Sequence, residues 1–349
     1  MQERNIEVVI VDDSGLMRLI ISDIINSEPG LKVVGEASDG KEAVDIVVKL
    51  KPDVVVMDMN MGEYDGLYGV KNILKRYQVP IIILSAVGNT DLEPVLEALG
   101  LGAFDYLNKP VENKAKVRTI EKQIIEKIRA ATLSNKKHFS SVSGNVKKNS
   151  NLHTFAQNVN YNVIVIGAST GGPTAIEKII TKLPENLPIP VLIAQHMPEN
   201  FIKSFAKRLD NLTPLKVKVG ELNEEIKAGN IYVAPGNNNM IIKENEKGKI
   251  VLGFSDVKHR EYNNPSINAL MLSVNEVFKE KSIGVILTGM GRDGAKGLSS
   301  IYESGGYTIG QNKKSSVVYG MPREVAERGV IRESVGIHEM AGFIVSCLA

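Results

Sequence analysis

The sequence has 349 residues, with 42 Lys and Arg set against 40 Asp and Glu for a net charge of +2. At roughly 150 residues per domain, this length favours two domains, each long enough to bury its own core. The near balance leaves no charge excess of the kind that nucleic acid or an anionic membrane surface demands. The single cysteine, Cys347, excludes a disulfide framework, a cysteine-rich zinc site and a CxxC redox pair, which suits a reducing cytoplasm.

The chain opens Met-Gln-Glu-Arg-Asn and then stays apolar for only about six residues, short of a signal-peptide core. No apolar run approaches the roughly 20 residues of a membrane span, so a cytoplasmic protein without membrane insertion is expected. From Glu7 to about Ala130, short β-branched runs alternate with segments of helical period. The runs are Val8–Val11, Lys32–Val34, Val54–Met57, Ile81–Leu84 and Phe104–Leu107. Val54-Val55-Val56 and Ile81-Ile82-Ile83 are apolar without alternation, as parallel strands covered on both faces should be. Residues 1–130 are therefore expected to form a five-stranded, doubly wound parallel α/β sheet.

Residues 131–160 hold six Asn, five Ser and four Lys with no acidic residue and no sustained periodicity, which predicts a flexible linker. Net charge is −5 for 1–130, +4 for 131–160 and +3 for 161–349, so the tether is the basic segment. From Tyr161 a second α/β pattern begins, with strands expected at Val163–Ile166, Pro190–Ala194, Leu215–Val219, Asn230–Ala234, Met240–Ile242, Lys249–Leu252, Ile283–Leu287 and Tyr307–Ile309. Helices are expected at 173–182, 200–209, 265–279, 295–303 and 322–328. This makes 161–349 a doubly wound α/β domain on a mainly parallel sheet.

Asp12 and Asp13 end the first strand, Asp58 the third, Ser85 the fourth and Lys109 the fifth. In a doubly wound sheet these ends open on one crevice. Three carboxylates there require a cation, and hard oxygen ligands suit Mg²⁺. A carboxylate nucleophile, a metal over phosphoryl oxygens, a hydroxyl and an ammonium are what an aspartyl-phosphate needs. Singly each has a blander reading, Asp-Asp as a helix cap and Lys-Pro as a loop. Together, residues 6 to about 128 resemble the receiver domain of two-component response regulators. The resemblance implies that a sensor histidine kinase phosphorylates Asp58, that Asp12 and Asp13 hold Mg²⁺ with Asp58, and that Ser85, Tyr106 and Lys109 form the switch. The family usually has proline four residues after the phosphorylated aspartate; here Gly62 stands there, and a more mobile loop is expected.

In the second half, Gly167-Ala168-Ser169-Thr170-Gly171-Gly172 fits G-x-S-x-G, a sharp strand-to-helix turn that raises a serine hydroxyl. On this segment alone a phosphate- or dinucleotide-binding loop is an equal reading. The next strand runs into His196. Ile283–Leu287 runs into Thr288-Gly289-Met290-Gly291-Arg292-Asp293-Gly294, where Asp293 would singly be the cap of the following helix. A hydroxyl, an imidazole and a carboxylate at three strand ends are the parts of a nucleophilic triad, in the order Ser, His, Asp.

Those segments, with Gln195-His196-Met197-Pro198, Tyr232-Val233-Ala234-Pro235-Gly236, Pro265-Ser266-Ile267 and Tyr319-Gly320-Met321-Pro322-Arg323-Glu324, resemble the catalytic domain of the chemotaxis protein-glutamate methylesterase (CheB) family, over about residues 161–347. The resemblance implies hydrolysis of glutamate methyl esters, and deamidation of certain glutamines, on chemotaxis receptors. Ser169 would be the nucleophile, His196 the base and Asp293 its orienting partner. Oxyanion donors are expected at Met290 and, second, Thr170, and no cofactor is expected for the esterase step. Asn239 replaces a common histidine and Asn268 a common aspartate, departures expected to bear on substrate contacts. The rival from another class is a response regulator with a non-catalytic, nucleotide-binding output domain. A DNA-binding output would be a short basic helical module, which this half is not.

Overall fold

A computed structural model of the chain describes residues 4–85, 92–109, 114–134, 155, 160–257 and 265–349, with 114–120 described by their backbone alone. It divides into two compact units, Met1–Gly144 and Asn145–Ala349. Most of the predicted linker, like Pro110, falls outside the described residues.

The first unit alternates β1 (Ile6–Val11), α1 (Gly15–Ser27), β2 (Leu31–Ala37), α2 (Gly40–Leu50), β3 (Val54–Asp58), α3 (Gly66–Arg76), β4 (Ile81–Ser85), α4 (Glu93–Gly100), β5 (Asp105–Asn108) and α5 (Lys114–Thr132). Helix α5 thus extends two residues into the segment predicted as linker. The sheet order is β2-β1-β3-β4-β5 and every pairing is parallel. All residues of β3 and β4 are buried, as their unbroken β-branched runs require. Short polar side chains start the helices: Ser14 accepts from Met17 N, Asp39 from Glu42 N and Asp65 from Tyr68 N. The chain winds outward in both directions from β1 and β3, so a crevice opens at their carboxyl ends.

The second unit contains β6 (Val163–Ala168), α6 (Gly172–Ile180), β7 (Val191–Gln195), α7 (Glu199–Leu212), β8 (Lys216–Val219), β9 (Asn230–Val233), β10 (Asn239–Glu244), β11 (Ile250–Ser255), α8 (Ile267–Phe278), β12 (Ser282–Ile286), α9 (Ala295–Glu303), β13 (Tyr307–Gln311), α10 (Met321–Glu327), β14 (Glu333–Val335) and α11 (Met340–Ser346). Seven strands form one parallel sheet in the order β14-β13-β12-β6-β7-β9-β8. Two expected strands, β10 and β11, leave that sheet and pair antiparallel as a hairpin. Their apolar residues Met240, Ile242 and Leu252 join Ile267, Leu270, Met271 and Val274 of α8 in the core, so the hairpin braces that helix. Strand β14 and helix α11 were not expected: Glu333 and Ser334 of the three-residue edge strand are exposed and give no apolar run.

The direction of winding reverses at β6, which lies between β7 and β12. The loops leaving the carboxyl ends of β12, β6 and β7 therefore spring from three adjacent strands, about 4.8 Å apart. Leu192 of β7 is fully buried in the core, opposite Val165 of β6 and Tyr232 of β9. Leu192→Ala should cost the second unit about 2–5 kcal/mol, read as a lower urea midpoint. Each unit has its own core, so Asp58 of the variant should remain as reactive toward a phosphodonor as in the parent.

Candidate active site

Ser169 follows β6 in the tight turn into α6, whose cap, Gly171, has φ +74°. The Ser169 N–H donates to Thr288 O at 3.1 Å, and the His196 N–H, just after β7, donates to Ala168 O at 3.1 Å. These bonds tie the three loops together at the backbone. The side chains then meet: Ser169 Oγ lies 3.1 Å from His196 Nδ1, and His196 Nε2 lies 2.8 Å from Asp293 Oδ2. An ionised carboxylate only accepts, so Nε2 carries the ring proton and donates to Asp293. Nδ1 is left as an acceptor facing the serine hydroxyl.

Asp293 is 1% exposed, and it is not the cap of the helix that follows it. Gly294, in the left-handed region, caps α9. The Asp293 carboxylate sits instead at the N-terminus of α8, where Oδ2 accepts from Ile267 N at 2.8 Å and Oδ1 from Asn268 N at 2.9 Å. Gly294 N at 2.9 Å also donates to Oδ1. Burial would push the carboxyl pKa up, but the His196 hydrogen bond and charge, with the Ile267 and Asn268 N–H groups, outweigh it and hold the group below the ordinary carboxylate value.

Asn239 and Asn268 were expected to bear on substrate contacts, and the structure corrects this. Both are buried. Asn239 Oδ1 accepts from Ser266 N at 2.8 Å while its Nδ2 donates to Val257 O at 3.0 Å. Asn268 Oδ1 accepts from Gly297 N at 2.9 Å. Both amides brace the helix start that holds Asp293. The signal that could have located this site is Ser266 before an apolar helical run, a helix start with unpaired N–H groups.

The turn after β12 lies against the serine. A Cβ on Gly289 would fall 2.7 Å from Ser169 Cβ and 2.4 Å from Met321 Sδ, so only glycine fits there. Met290 is the next residue, and among the described residues its N–H has no hydrogen-bond acceptor. Thr170 is buried, and its carbonyl accepts from Thr288 Oγ1 at 3.0 Å. Thr170 thus follows Ser169 in the chain, and Met290 follows Gly289, the residue packed against the serine.

In the first unit, ligand atoms of Asp12, Asp13 and Asp58 lie within 4.8 Å of one another. Lys109 Nζ reaches Asp12 Oδ2 and Asp58 Oδ2, each at 2.8 Å. Burial raises the Asp58 pKa, with Asp12 adding to it, against the Lys109 ammonium and the Asn60 N–H. Burial would lower the Lys109 pKa, but its hydrogen bonds to the two carboxylates raise it instead. Ser85 is fully buried at the end of β4, and its Oγ has no partner among the described residues. Tyr106 is buried on β5, and burial with neighbouring Asp105 lifts its phenol well above the ordinary value. Asp105 is in turn paired with Lys127 of α5. Three carboxylates against one ammonium leave an all-oxygen site with excess negative charge, and that donor set fits Mg²⁺. Gly62 has φ +71°, which proline, fixed near −65°, cannot adopt.

Comparison with known proteins agrees with this geometry. Residues 164–344 match the family model described as CheB methylesterase, and residues 8–121 match the response regulator receiver domain. A Pyrococcus abyssi protein named protein-glutamate methylesterase/protein-glutamine glutaminase is 37% identical over 344 residues, covering 98% of this chain and 93% of that protein. A Thermotoga maritima protein of the same name is 40% identical over 332 residues, covering 94% of each. The chain belongs to the CheB methylesterase family. The crystal structure of the Thermotoga maritima CheB methylesterase catalytic domain superposes with a TM-score of 0.52 at 37% identity, covering 53% of this chain and 98% of that one. The CheB assignment accounts for the pairing of a receiver with a hydrolase-type sheet. Among the described residues no helix is long and apolar enough to cross a membrane.

The receiver crevice yields a pH-dependent expectation. Lys109→Met leaves Asp12 and Asp58 without their ammonium and should destabilise the receiver by about 3–5 kcal/mol near neutral pH. A carboxyl whose folded pKa is raised favours the folded state below its unfolded pKa and loses that advantage as pH rises through the folded pKa. The variant raises Asp58 further, so the deficit should be largest at neutral pH and shrink toward about pH 4, near the unfolded carboxyl value. Urea unfolding at the two pH values checks this, and added Mg²⁺ should recover part of the neutral-pH loss.

Proposed function

We propose that the second unit hydrolyses methyl esters of glutamate side chains, and the amide of certain glutamines, on chemotaxis receptors, and that phosphorylation of Asp58 by a sensor histidine kinase controls it in the cytoplasm. The observation that carries this reading is the chain of contacts from Ser169 Oγ through His196 Nδ1 and Nε2 to Asp293. A phosphate-binding glycine loop has no use for a serine hydroxyl beside an imidazole nitrogen, which favours the hydrolase over the nucleotide-binding alternative.

In the ester reaction the Ser169 oxygen attacks the carbonyl carbon as its proton passes to His196 Nδ1. The Nε2–H stays on Asp293, which offsets the charge of the imidazolium. Nδ1–H then protonates the departing methoxide, or the amide nitrogen of a glutamine that leaves as ammonia, giving an acyl-serine. Water then gives a proton to Nδ1 and adds to the acyl carbon; the bond to Ser169 Oγ breaks, Nδ1–H returns its proton to that oxygen, and the glutamate is freed. The Met290 N–H, with Thr170 N–H second, serves the developing oxyanion, each such donor contributing about 2.7–4 kcal/mol.

In the receiver, an Asp58 oxygen attacks the phosphorus of the kinase's phosphohistidine, the P–N bond breaks and the donor imidazole leaves. Bound Mg²⁺, held by Asp12, Asp13 and Asp58, would offset the charge on the phosphoryl oxygens. The Ser85 Oγ and the Lys109 ammonium then donate to those oxygens, and their movement reaches Tyr106 through β4 and β5.

Methanol release from methylated receptor provides the test. Ser169→Ala, His196→Ala and the double variant should each fall to one common floor, about 10⁴- to 10⁶-fold below the parent. Losses that multiply would break up the proposed unit, and a Ser169→Ala protein at the parental rate would sink the hydrolase reading. A small phosphodonor with Mg²⁺ should stimulate the parent by about 5- to 150-fold and leave Asp58→Asn unstimulated.

A further inference from the structure

Gln195, the last residue of β7, is 2% exposed and lies beneath the turn that carries Ser169. Its Nε2 donates to the carbonyl of Ser169 at 3.0 Å and to the carbonyl of His196 at 3.1 Å. One buried amide thus bridges the backbones of the two residues that exchange the proton. Its other atom, Oε1, is buried with no hydrogen-bond partner among the described residues. That oxygen packs against Gly172, where a Cβ would fall 2.1 Å from it. Turning the amide over would set an oxygen against two carbonyl oxygens. A buried acceptor without a partner is unfavourable, and an apolar side chain of equal length would avoid it. What the amide supplies in return is its two donors.

Those donors act on peptide planes. In a trans peptide the C=O and the following N–H point in opposite directions. The Ser169 carbonyl is held by Gln195 on one side and by Gly172 N at 2.7 Å from the first turn of α6. Fixing it fixes the direction of the Thr170 N–H, one of the two proposed oxyanion donors. The second bond fixes the His196–Met197 peptide and with it the base of the imidazole. Nδ1, the nitrogen facing the serine, is the ring nitrogen nearer the backbone, so an error in the His196 backbone passes directly into the Ser169–His196 distance.

We propose that Gln195 is a positioning residue for the ester hydrolysis: through its two donated hydrogen bonds it aligns the Thr170 N–H and the His196 ring on Ser169, and it touches neither substrate nor reacting atoms. The inference rests on the hydrolase reading above. Losing it should leave substrate binding intact and slow the chemical step.

The test uses the full chain, a small ester substrate and a serine-directed fluorophosphonate. Gln195→Met keeps the length of the side chain and removes both donors. It should lower kcat by about 10- to 100-fold, with KM within about 2-fold of the parent, because misplacement near 1 Å costs on that order. The rate of fluorophosphonate labelling should fall by a similar factor, while its final extent stays at one label per folded chain. A merely structural role would do the reverse, reducing the labelled fraction and leaving the remaining sites at the parental rate, and that result overturns the proposal. Gln195→Glu, nearly isosteric, is the second variant should Gln195→Met lose its cooperative urea transition. A carboxyl group donates to at most one of the two carbonyls, so a loss of about 10-fold or more is expected. A parental kcat in either folded variant also overturns the proposal. Ser169→Ala separates the two readings: continued labelling there removes the hydrolase assignment itself, whereas labelling that depends on Ser169 but ignores Gln195 removes only this inference.

Discussion

A carboxylate taken out of water has to be met by donors on nearly all its lone pairs, and at Asp293 the surrounding chain is arranged around that demand. Backbone N–H groups of Ile267, Asn268 and Gly294 and the His196 ring supply the donors. The N-terminus of α8 contributes its dipole as well as its unpaired N–H groups. That helix is pinned by the β10–β11 hairpin through apolar packing and by Asn239 through Ser266 N. The hairpin, the helix and the buried amides therefore serve one charge, and the charge sets the orientation and tautomer of His196.

The two units apply the same sheet geometry to opposite electrostatic ends. Each places polar residues at the carboxyl ends of neighbouring parallel strands, where winding reverses and a crevice opens. In the second unit the negative charge is fully provided for, and the product is an imidazole held with Nδ1 toward the serine. In the receiver, among the described residues, it is under-provided: the Lys109 ammonium pairs with Asp12 and Asp58, Asp58 is raised by burial, and Ser85 Oγ has no partner. A satisfied site suits repeated chemistry at fixed distances. An unsatisfied one suits a switch, because adding a cation and a phosphoryl group can pay back interactions the resting state lacks.

Much of this was legible in the sequence because the information was local. Unbroken runs such as Val54–Val56 can only be strands covered on both faces, and each residue of the two polar constellations stands at or just after such a run. Adjacent strands in the sheet then brought Ser169, His196 and Asp293 together. What the sequence withheld depends on contacts between distant segments. Met240–Ile242 and Lys249–Leu252 look like strands and are strands, but nothing local says that they pair with each other away from the main sheet. Asp293 before Gly294 reads as a helix cap, and only the arrival of α8 from residues 266–268 makes it something else. Asn239 and Asn268 were expected to bear on substrate contacts because they depart from the family's pattern, yet burial places them inside the support. Gln195 gave no signal at all, since a glutamine closing an apolar strand is ordinary until its amide is seen between two carbonyls.

The orientation of His196 links these supports to the chemistry proposed for the site. Because Nε2 faces Asp293 and Nδ1 faces Ser169, the ring is held at its far end by the carboxylate and at its near end by the backbone. Two constraints on a rigid ring leave little freedom except rotation about the line between them, and Ser169 N bonded to Thr288 O fixes the remaining partner. With Nε2 facing the serine the backbone would lie a full ring width from the reacting oxygen, and small backbone shifts would matter less. Here the separation is shorter, so precision at the serine depends on the carbonyl clamps at the ends of β6 and β7. The burial of a Gln195 oxygen that no described residue satisfies and the enclosure of the Asp293 charge are two parts of the same arrangement: each takes a polar group out of water in exchange for a fixed position of the imidazole relative to the serine oxygen.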